Sequence, residues 1–349
     1  MSTSFEPVIP KGSTVLVTGA NGYIGSHVVD QLLLAGYKVR GTVRDATKAK
    51  WAQDLFEKRY GPGKFESVVV PDMTVDGAYD EAAKGVSAVA HVAANLTFST
   101  DPKIVIPETV NGALNALRAA VKYPTIKRVV VTSSSAATCF PKPNVPFTIT
   151  SDMYNDEAVK LTREGASTKA GTNDFMYGYA VYAASKTEAE KACWKFVEEE
   201  KPSFELSTVL PNTNFGPVFD TTVPVSTGTW AGMILRGEAG PLAKSVTPQW
   251  FVDVRDTARL HVAALINPAV KSERIFAFGE PFNWTTMFSI MRKAFPDRAD
   301  KIPDDIPNEG KDLSIVQTKA RSEELLRAFG QDGFISLEES LKANAQAYL

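Results

Sequence analysis

Two hydrophobic rhythms alternate along the first two-thirds of the chain. Short β-branched runs read as buried strands: "TVLVTG" (14–19), "YKVRGTVR" (37–44), "FESVVVPDM" (65–73), "GVSAVAHVAA" (85–94), "TIKRVVVTSSS" (125–135) and "FELSTVLP" (204–211). Between them the apolar positions fall at helical spacing. Ile24, Val28, Leu32 and Leu33 share a face before Gly36, and residues 46–60 form a mixed-charge helix. "VNGALNALRAAVK" (110–122) is strongly patterned, and a further helix starts in the tyrosine-rich stretch at Tyr177 and runs to about Glu200. Strand and helix in steady alternation predict a parallel sheet covered on both faces, and right-handed crossovers make it a doubly wound α/β fold. After Pro211 the rhythm breaks. Residues 212–249 are rich in Thr, Gly and Pro, "RIFAFGE" (274–280) supplies one more strand, and residues 281–349 are mainly helical.

The first strand turns into the first helix through Gly19, Gly22 and Gly25. Gly19 suits a tight turn, Gly22 a close approach of backbone to pyrophosphate, and Gly25 close packing of helix on strand. The loop residues Asn21, Tyr23 and Ile24 complete the helix N-terminus, whose free N–H groups favour phosphate. The spacing is GxxGxxG, and its strand–loop–helix setting is the one a dinucleotide site requires. The expected organisation is therefore a Rossmann domain from residues 1–212 and 250–280, with a smaller substrate domain from 213–249 and 281–349.

The second strand ends in Arg44, with Lys48 one turn later, and two cations suit the 2′-phosphate of NADPH. Asp45 follows at once and is placed to accept from a ribose hydroxyl instead. Asp72 and Met73, ending the third strand, are candidates to meet the adenine, and Asp72 is equally a turn residue. Ala93 and Ala94 close the fourth strand with little bulk where a cofactor would pass, and Thr132 closes the fifth. His91 reads as a strand residue with a satisfied ring.

Tyr182 and Lys186 are four residues apart, on one helical face. A nearby ammonium lowers a phenol's pKa from its ordinary value near 10, which is what protonating a reduced carbonyl oxygen calls for. Ala183, Ala184 and Ser185 between them are small and leave room for a ligand. Ser133, Ser134 and Ser135 stand at the carboxyl end of the fifth strand, where open α/β sheets bind ligands.

"VTGANGYIG", the "DM" after the third strand, "VTSSS", "YAASK", "LPNTNFGP" and "WFVDVRDTARLHVAAL" together resemble the extended short-chain dehydrogenase/reductases, over residues 12 to 345. "KVRGTVRDATK", "NGALNALRAA" and "YAASKTEAE" are especially similar to fungal NADPH-dependent carbonyl reductases, relatives of dihydroflavonol reductases. The resemblance implies Tyr182 as proton donor, Lys186 as its partner and a ligand of the nicotinamide ribose, and Ser134 as the serine, with Ser135 open by one step of register. It further implies that Pro211 and Thr213 lie by the nicotinamide, that the helix carrying Asn111 supports the site, and that the pro-S hydride is transferred. An aldehyde or ketone then enters a pocket for which Phe98, Phe140, Phe175, Trp230 and Phe282 are the candidate walls. Residues 141–176 are the candidate lid.

Two rivals are weighed. A sugar-nucleotide epimerase or dehydratase wants an acidic second-strand end and an acidic group beside the serine; here Ser135-Ala136-Ala137 follow. A non-catalytic NADP sensor would lose the tyrosine or the lysine, and both are present.

Composition narrows the partners. A 349-residue chain with 44% hydrophobic residues supports a sizeable core, and a net charge of −2 offers no basic field for nucleic acid or an anionic membrane surface. Cys139 and Cys193 fall at no metal-ligand spacing, so no metal site and a reducing compartment are expected. "MSTSFEPVIPKG" lacks the order of a signal peptide. The expectation is a cytoplasmic enzyme, monomer or homodimer, acting on a small carbonyl compound.

Overall fold

The computed structural model describes residues 5–165, 174–223 and 225–349. Seven strands form one parallel sheet: β1 (Thr14–Thr18), β2 (Lys38–Val43), β3 (Phe65–Val69), β4 (Ala88–His91), β5 (Arg128–Thr132), β7 (Glu205–Pro211) and β10 (Arg274–Ala277). Their order is β10-β7-β5-β4-β1-β2-β3. The sequence reverses direction between β1 and β4, and the carboxyl ends there frame the crevice used by ligands in such folds. Alternate residues of each strand serve opposite cores: Val15 and Val17 pack on one face, and Leu16 on the other. The first face carries α1 (Tyr23–Leu34), α2 (Ala46–Tyr60), α9 (Val254–Ile266) and α11 (Lys319–Arg327). The second carries α3 (Asp80–Ala83), α4 (Pro102–Val121) and α6 (Asp174–Glu200).

Local signals explain the helix starts. Asp45 caps α2 by accepting from the Lys48 N–H at 2.9 Å, and Asp101 with Pro102 opens α4. α5 (Asp156–Arg163) is capped by Asn155 and packs on α6.

A smaller sheet joins β8 (Thr213–Phe215), β9 (Gln249–Asp253) and β11 (Glu280–Phe282) in the order β11-β9-β8. Around it, α7 (Trp230–Leu235), α10 (Trp284–Ala294) and α12 (Leu337–Ala345) enclose an aromatic-rich core, with α8 (Gly240–Ala243) at its rim. A third, two-stranded pairing ties β6 (Thr148–Ile149) to β12 (Ile315–Val316).

Two parts of the expected division shift. Residues 250–253, expected with the Rossmann sheet, pair with β8 and β11. Within the C-terminal segment, Leu325, Leu326 and Phe329 pack into the first core beside α9, so this part returns to the larger unit. Among the described residues no helix is long and apolar enough to cross a membrane. The candidate lid, 141–176, lies in part outside the described residues.

Candidate active site

At the β1–α1 turn, Gly19 takes φ +67°, and a Cβ on Gly25 would stand 2.1 Å from the Gly19 carbonyl oxygen. Only glycine lets helix and loop close to this distance, so the N-terminus of α1 is held at the sheet's carboxyl edge. The cradle fits a pyrophosphate. Tyr23 contributes backbone there; its ring is buried and its hydroxyl donates to the Gly216 carbonyl at 2.9 Å. Ala93 packs on Gly19 and donates its N–H to the Thr18 hydroxyl at 3.0 Å.

At the end of β2 the two acidic and basic candidates separate. Asp45 is engaged as the α2 cap and pairs with the Lys48 amine at 2.9 Å. Arg44 is exposed and has no ion pair among the described residues. The cation left for a 2′-phosphate is Arg44. Asp72 is exposed and accepts from the Thr74 N–H and hydroxyl at 2.8 and 2.7 Å, a turn that holds its carboxyl below the usual range. Met73 is half-buried, its sulfur against α4 at Gly112 beside the second core, so packing takes part of the side chain expected at the adenine.

The three serines after β5 diverge. Ser133 points inward and donates to Glu190 at 2.7 Å. Ser134 caps the short turn Ser135–Ala137, accepting from the Ala136 N–H at 3.2 Å, and its hydroxyl faces the Tyr182 phenol, whose pKa it lowers. Ser135 is half-buried beside a cleft. Ser134, not Ser135, thus meets Tyr182.

Lys186 is 5% exposed, and its amine donates to the Thr132 carbonyl at 2.9 Å. Burial lowers its pKa to about 8, with Cys193 and Glu190 pulling it back up. Burial likewise raises the Tyr182 phenol, and the Ser134 hydroxyl opposes this. The expected depression of Tyr182 by the Lys186 ammonium is therefore not present in this form, because the amine is turned to the β5 carbonyl. Ala183, Ala184 and Ser185 are also corrected. They are fully buried, the two alanines against Ala136, Ala158 and Val159, and their small size serves helix packing rather than ligand room.

The aromatic candidates divide. Phe98 lies 5.2 Å from the Tyr182 ring and Phe140 6.0 Å from Tyr179. Phe98 adopts φ +52°, and a Cβ on Gly178 would come within 2.2 Å of its carbonyl, so that glycine lets the loop press onto α6. Phe175 is exposed at the start of α6. Trp230 stacks on Trp284 at 5.1 Å and Phe282 meets Phe215 edge-on at 5.6 Å. Phe282 is buried in the smaller unit's core and half-buried Trp230 packs against it, and neither lines the cleft at Tyr179. Tyr177 anchors α6 against Val105 and Val181.

Pro211 ends β7, Asn212 follows, and Thr213 starts β8, its N–H donating to the Asn212 side chain at 2.8 Å. Ala94 is half-buried beyond β4. Asn111 lies exposed on α4; Asn115, one turn on, is buried and donates to the Met73 and Val75 carbonyls at 3.0 and 2.9 Å. His91 is a satisfied strand residue, bonded to the Thr18 hydroxyl at 3.0 Å.

Glu190 was not singled out by its sequence, although it continues the Tyr182–Lys186 spacing by one more turn. It is buried, accepts from Ser133 and Thr208 at 2.7 Å, and pairs with Arg274 at 2.7 Å. It thereby ties the serine strand, α6 and the sheet edge together. A cleft beside Tyr179 and Ser135 is walled by Phe147, Trp250 and Phe278, residues too scattered in sequence to be read as one surface.

The family model described as the NAD dependent epimerase/dehydratase family matches residues 15–279. The chain is 44% identical over 339 residues to Aldehyde reductase 2 of Sporidiobolus salmonicolor, covering 96% of each chain. It is 42% identical to the ketoreductase adrE of Penicillium rubens, covering 98% of each. Among solved structures it resembles the yeast methylglyoxal/isovaleraldehyde reductase Gre2 complexed with NADPH, at a TM-score of 0.79 and 29% identity, over 96% of this chain and 98% of that one.

Proposed function

The chain belongs to the NAD dependent epimerase/dehydratase family of extended short-chain dehydrogenase/reductases, and from this footing we propose that it reduces aldehydes and ketones to alcohols with NADPH. The observation that carries the reading is the convergence of the Tyr182 phenol and the Ser134 hydroxyl at the carboxyl end of β5, one helical turn from Lys186. The names of the reductase relatives and of the NADPH-bound neighbour point the same way.

The glycine cradle, Arg44 and the small residues Ala93 and Ala94 would hold NADPH, which supplies the hydride that reduces the carbonyl carbon. The chain's own work is at oxygen. Ser134 donates a hydrogen bond to the carbonyl oxygen and fixes its direction, and Tyr182 transfers its proton to that oxygen as charge develops. The phenolate left behind is of opposite charge to the Lys186 ammonium one helical turn away, which would also be the residue to hold the cofactor's ribose. Two hydrogen-bond donors at one oxygen, in a site walled by Phe98, Phe140 and Tyr179, suit an apolar carbonyl compound. The free thiols Cys139 and Cys193 are compatible with a cytoplasmic location, where we place the protein as a monomer or homodimer.

The test is NADPH oxidation followed at 340 nm against aldehydes, ketoesters and aryl ketones. Tyr182→Phe is expected to lower kcat by about 10²–10⁴-fold while NADPH binding persists. Near-normal turnover in that variant would overturn the assignment.

A further inference from the structure

The cleft beside Tyr179 ends on a carboxylate that the proposed reaction does not use. Its near end is Ser135, next to Ser134, with Asn212 just past Pro211; the Tyr179 ring stands 6.4 Å from Tyr182. Its walls are Phe147, Trp250 and Phe278, and Asp312 forms part of the lining. Asp312 is 8% exposed. One oxygen, Oδ1, accepts from the Ser314 N–H at 2.8 Å and from the Ser314 hydroxyl at 2.6 Å. Ser314 in turn accepts from the Trp250 indole N–H at 2.9 Å, so the same turn fixes the tryptophan wall. The other oxygen, Oδ2, has no hydrogen-bond or ion-pair partner among the described residues.

Oδ2 is therefore a charged acceptor that the protein leaves unpaired on a mostly buried side chain lining the cleft, where an occupant's donor can reach it. Apart from Asp312 the walls of this cleft are largely apolar, so an occupant's donor would find its charged acceptor here.

We infer that Asp312 is a specificity-determining residue that selects carbonyl substrates bearing a hydrogen-bond donor, a hydroxyl or amine, on an apolar body distal to the reacting carbonyl. This rests on the reductase reading above. With the carbonyl at Tyr182 and Ser134, the body runs past Tyr179 along the surface made by Trp250 and Phe278, which pack edge-on at 6.1 Å, and the distal donor meets Oδ2. A substrate carrying only an acceptor at that end, an ether for instance, faces like polarity and is disfavoured.

A matched series tests this: 4-phenyl-2-butanone, its 4-hydroxyphenyl analogue and its 4-methoxyphenyl analogue, each with NADPH. The wild-type protein is expected to favour the hydroxyl over the methoxy ketone by about tenfold in kcat/KM, the scale of one hydrogen bond to a charged group. Asp312→Asn keeps an Oδ1 acceptor for Ser314 and replaces Oδ2 by a donor, so the preference should vanish or reverse. Ser314→Ala loosens the same turn but keeps the carboxylate, and should retain the preference; this separates a substrate contact from a structural effect. Turnover of all three ketones at a ratio that Asp312→Asn does not move would overturn the assignment of Asp312 alone. Loss of the preference in Ser314→Ala to the same extent as in Asp312→Asn would overturn it too. Absence of NADPH oxidation with every ketone of this series and of the wider panel would overturn the reductase reading, and this inference with it.

Discussion

Mild acid should unfold this protein through its histidines. The chain contains three, His27, His91 and His261, and all three are buried. Burial lowers the His27 pKa to about 4, against a weaker upward pull from the Pro217 carbonyl. Burial, then the Lys186 charge, lowers His91 to about 3, and burial lowers His261 to about 4 against the Thr257 carbonyl. In the unfolded chain each returns to an ordinary pKa near 6.5. The folded pKa is the depressed one, so the unfolded state binds more protons in between. Stability is fully present above pH 6.5 and is lost as pH falls toward the folded values. At pH 5, protonation favours each unfolded imidazole by about 2 kcal/mol, against about 0.2 kcal/mol at pH 7. Three residues make the loss between pH 7 and pH 5 about 6 kcal/mol, a large part of the ~5–15 kcal/mol that typically holds a domain together. Exposed carboxylates with depressed pKa, such as Asp72, release their contribution only below the carboxylate range, while the buried Asp256, whose carboxyl burial pushes up, works the other way by favouring the folded state as pH falls. The assay is urea unfolding by tryptophan fluorescence at pH 7 and pH 5. His91→Asn, which keeps a polar partner for Thr18, should cut the loss by about a third. A stability equal within ~1 kcal/mol at the two pH values would mean the histidines titrate as freely folded as unfolded, and would refute the reasoning.

Two further substitutions probe the cofactor edge and the support beneath Lys186. Arg44→Glu is expected to raise the KM for NADPH at least about tenfold more than that for NADH, by replacing a charge-assisted partner with a repelling one; equal changes would remove Arg44 from the 2′-phosphate. Glu190→Ala leaves Arg274, whose side chain is 8% exposed, without its carboxylate and should cost about 3–5 kcal/mol in urea unfolding. Glu190→Gln, keeping acceptors for Ser133 and Thr208, should recover part of that loss.

The larger unit was legible because its information is local. Every strand of the main sheet carries its own short apolar stretch, and the glycine turn carries its own spacing. Tyr182 and Lys186 share a helix, so their place on one face follows from period alone; the choice of Ser134 over its neighbour needed the capped turn at Ser135–Ala137. What stayed hidden depends on partners far away in sequence. β9 has the look of any buried strand, and nothing in "QWFVD" says that its neighbours are β8 and β11. Trp230 and Phe282 lie in irregular surroundings where an aromatic residue reads equally as wall or core, and tertiary packing decided for core. Glu190 was visible at helical spacing, yet a glutamate on a helix reads as solvated until Arg274 and Thr208 arrive from other strands.

The chain passes between its two sheets with almost no slack. One residue, Asn212, separates β7 from β8, and β9 runs straight into α9 at Asp253. Asp253 is fully buried and receives the Ser340 hydroxyl at 2.7 Å and the Arg255 guanidinium at 2.8 Å, so the crossing is bolted from the C-terminal helix as well. The smaller unit is consequently no cassette. A graft of another protein's C-terminal portion onto this Rossmann half would have to reproduce both crossings in register, or the end of β7 at Pro211 would move with the graft. New substrate preferences are therefore reached by exchanging side chains in place, along a frame whose seams allow little drift, rather than by shuffling whole parts.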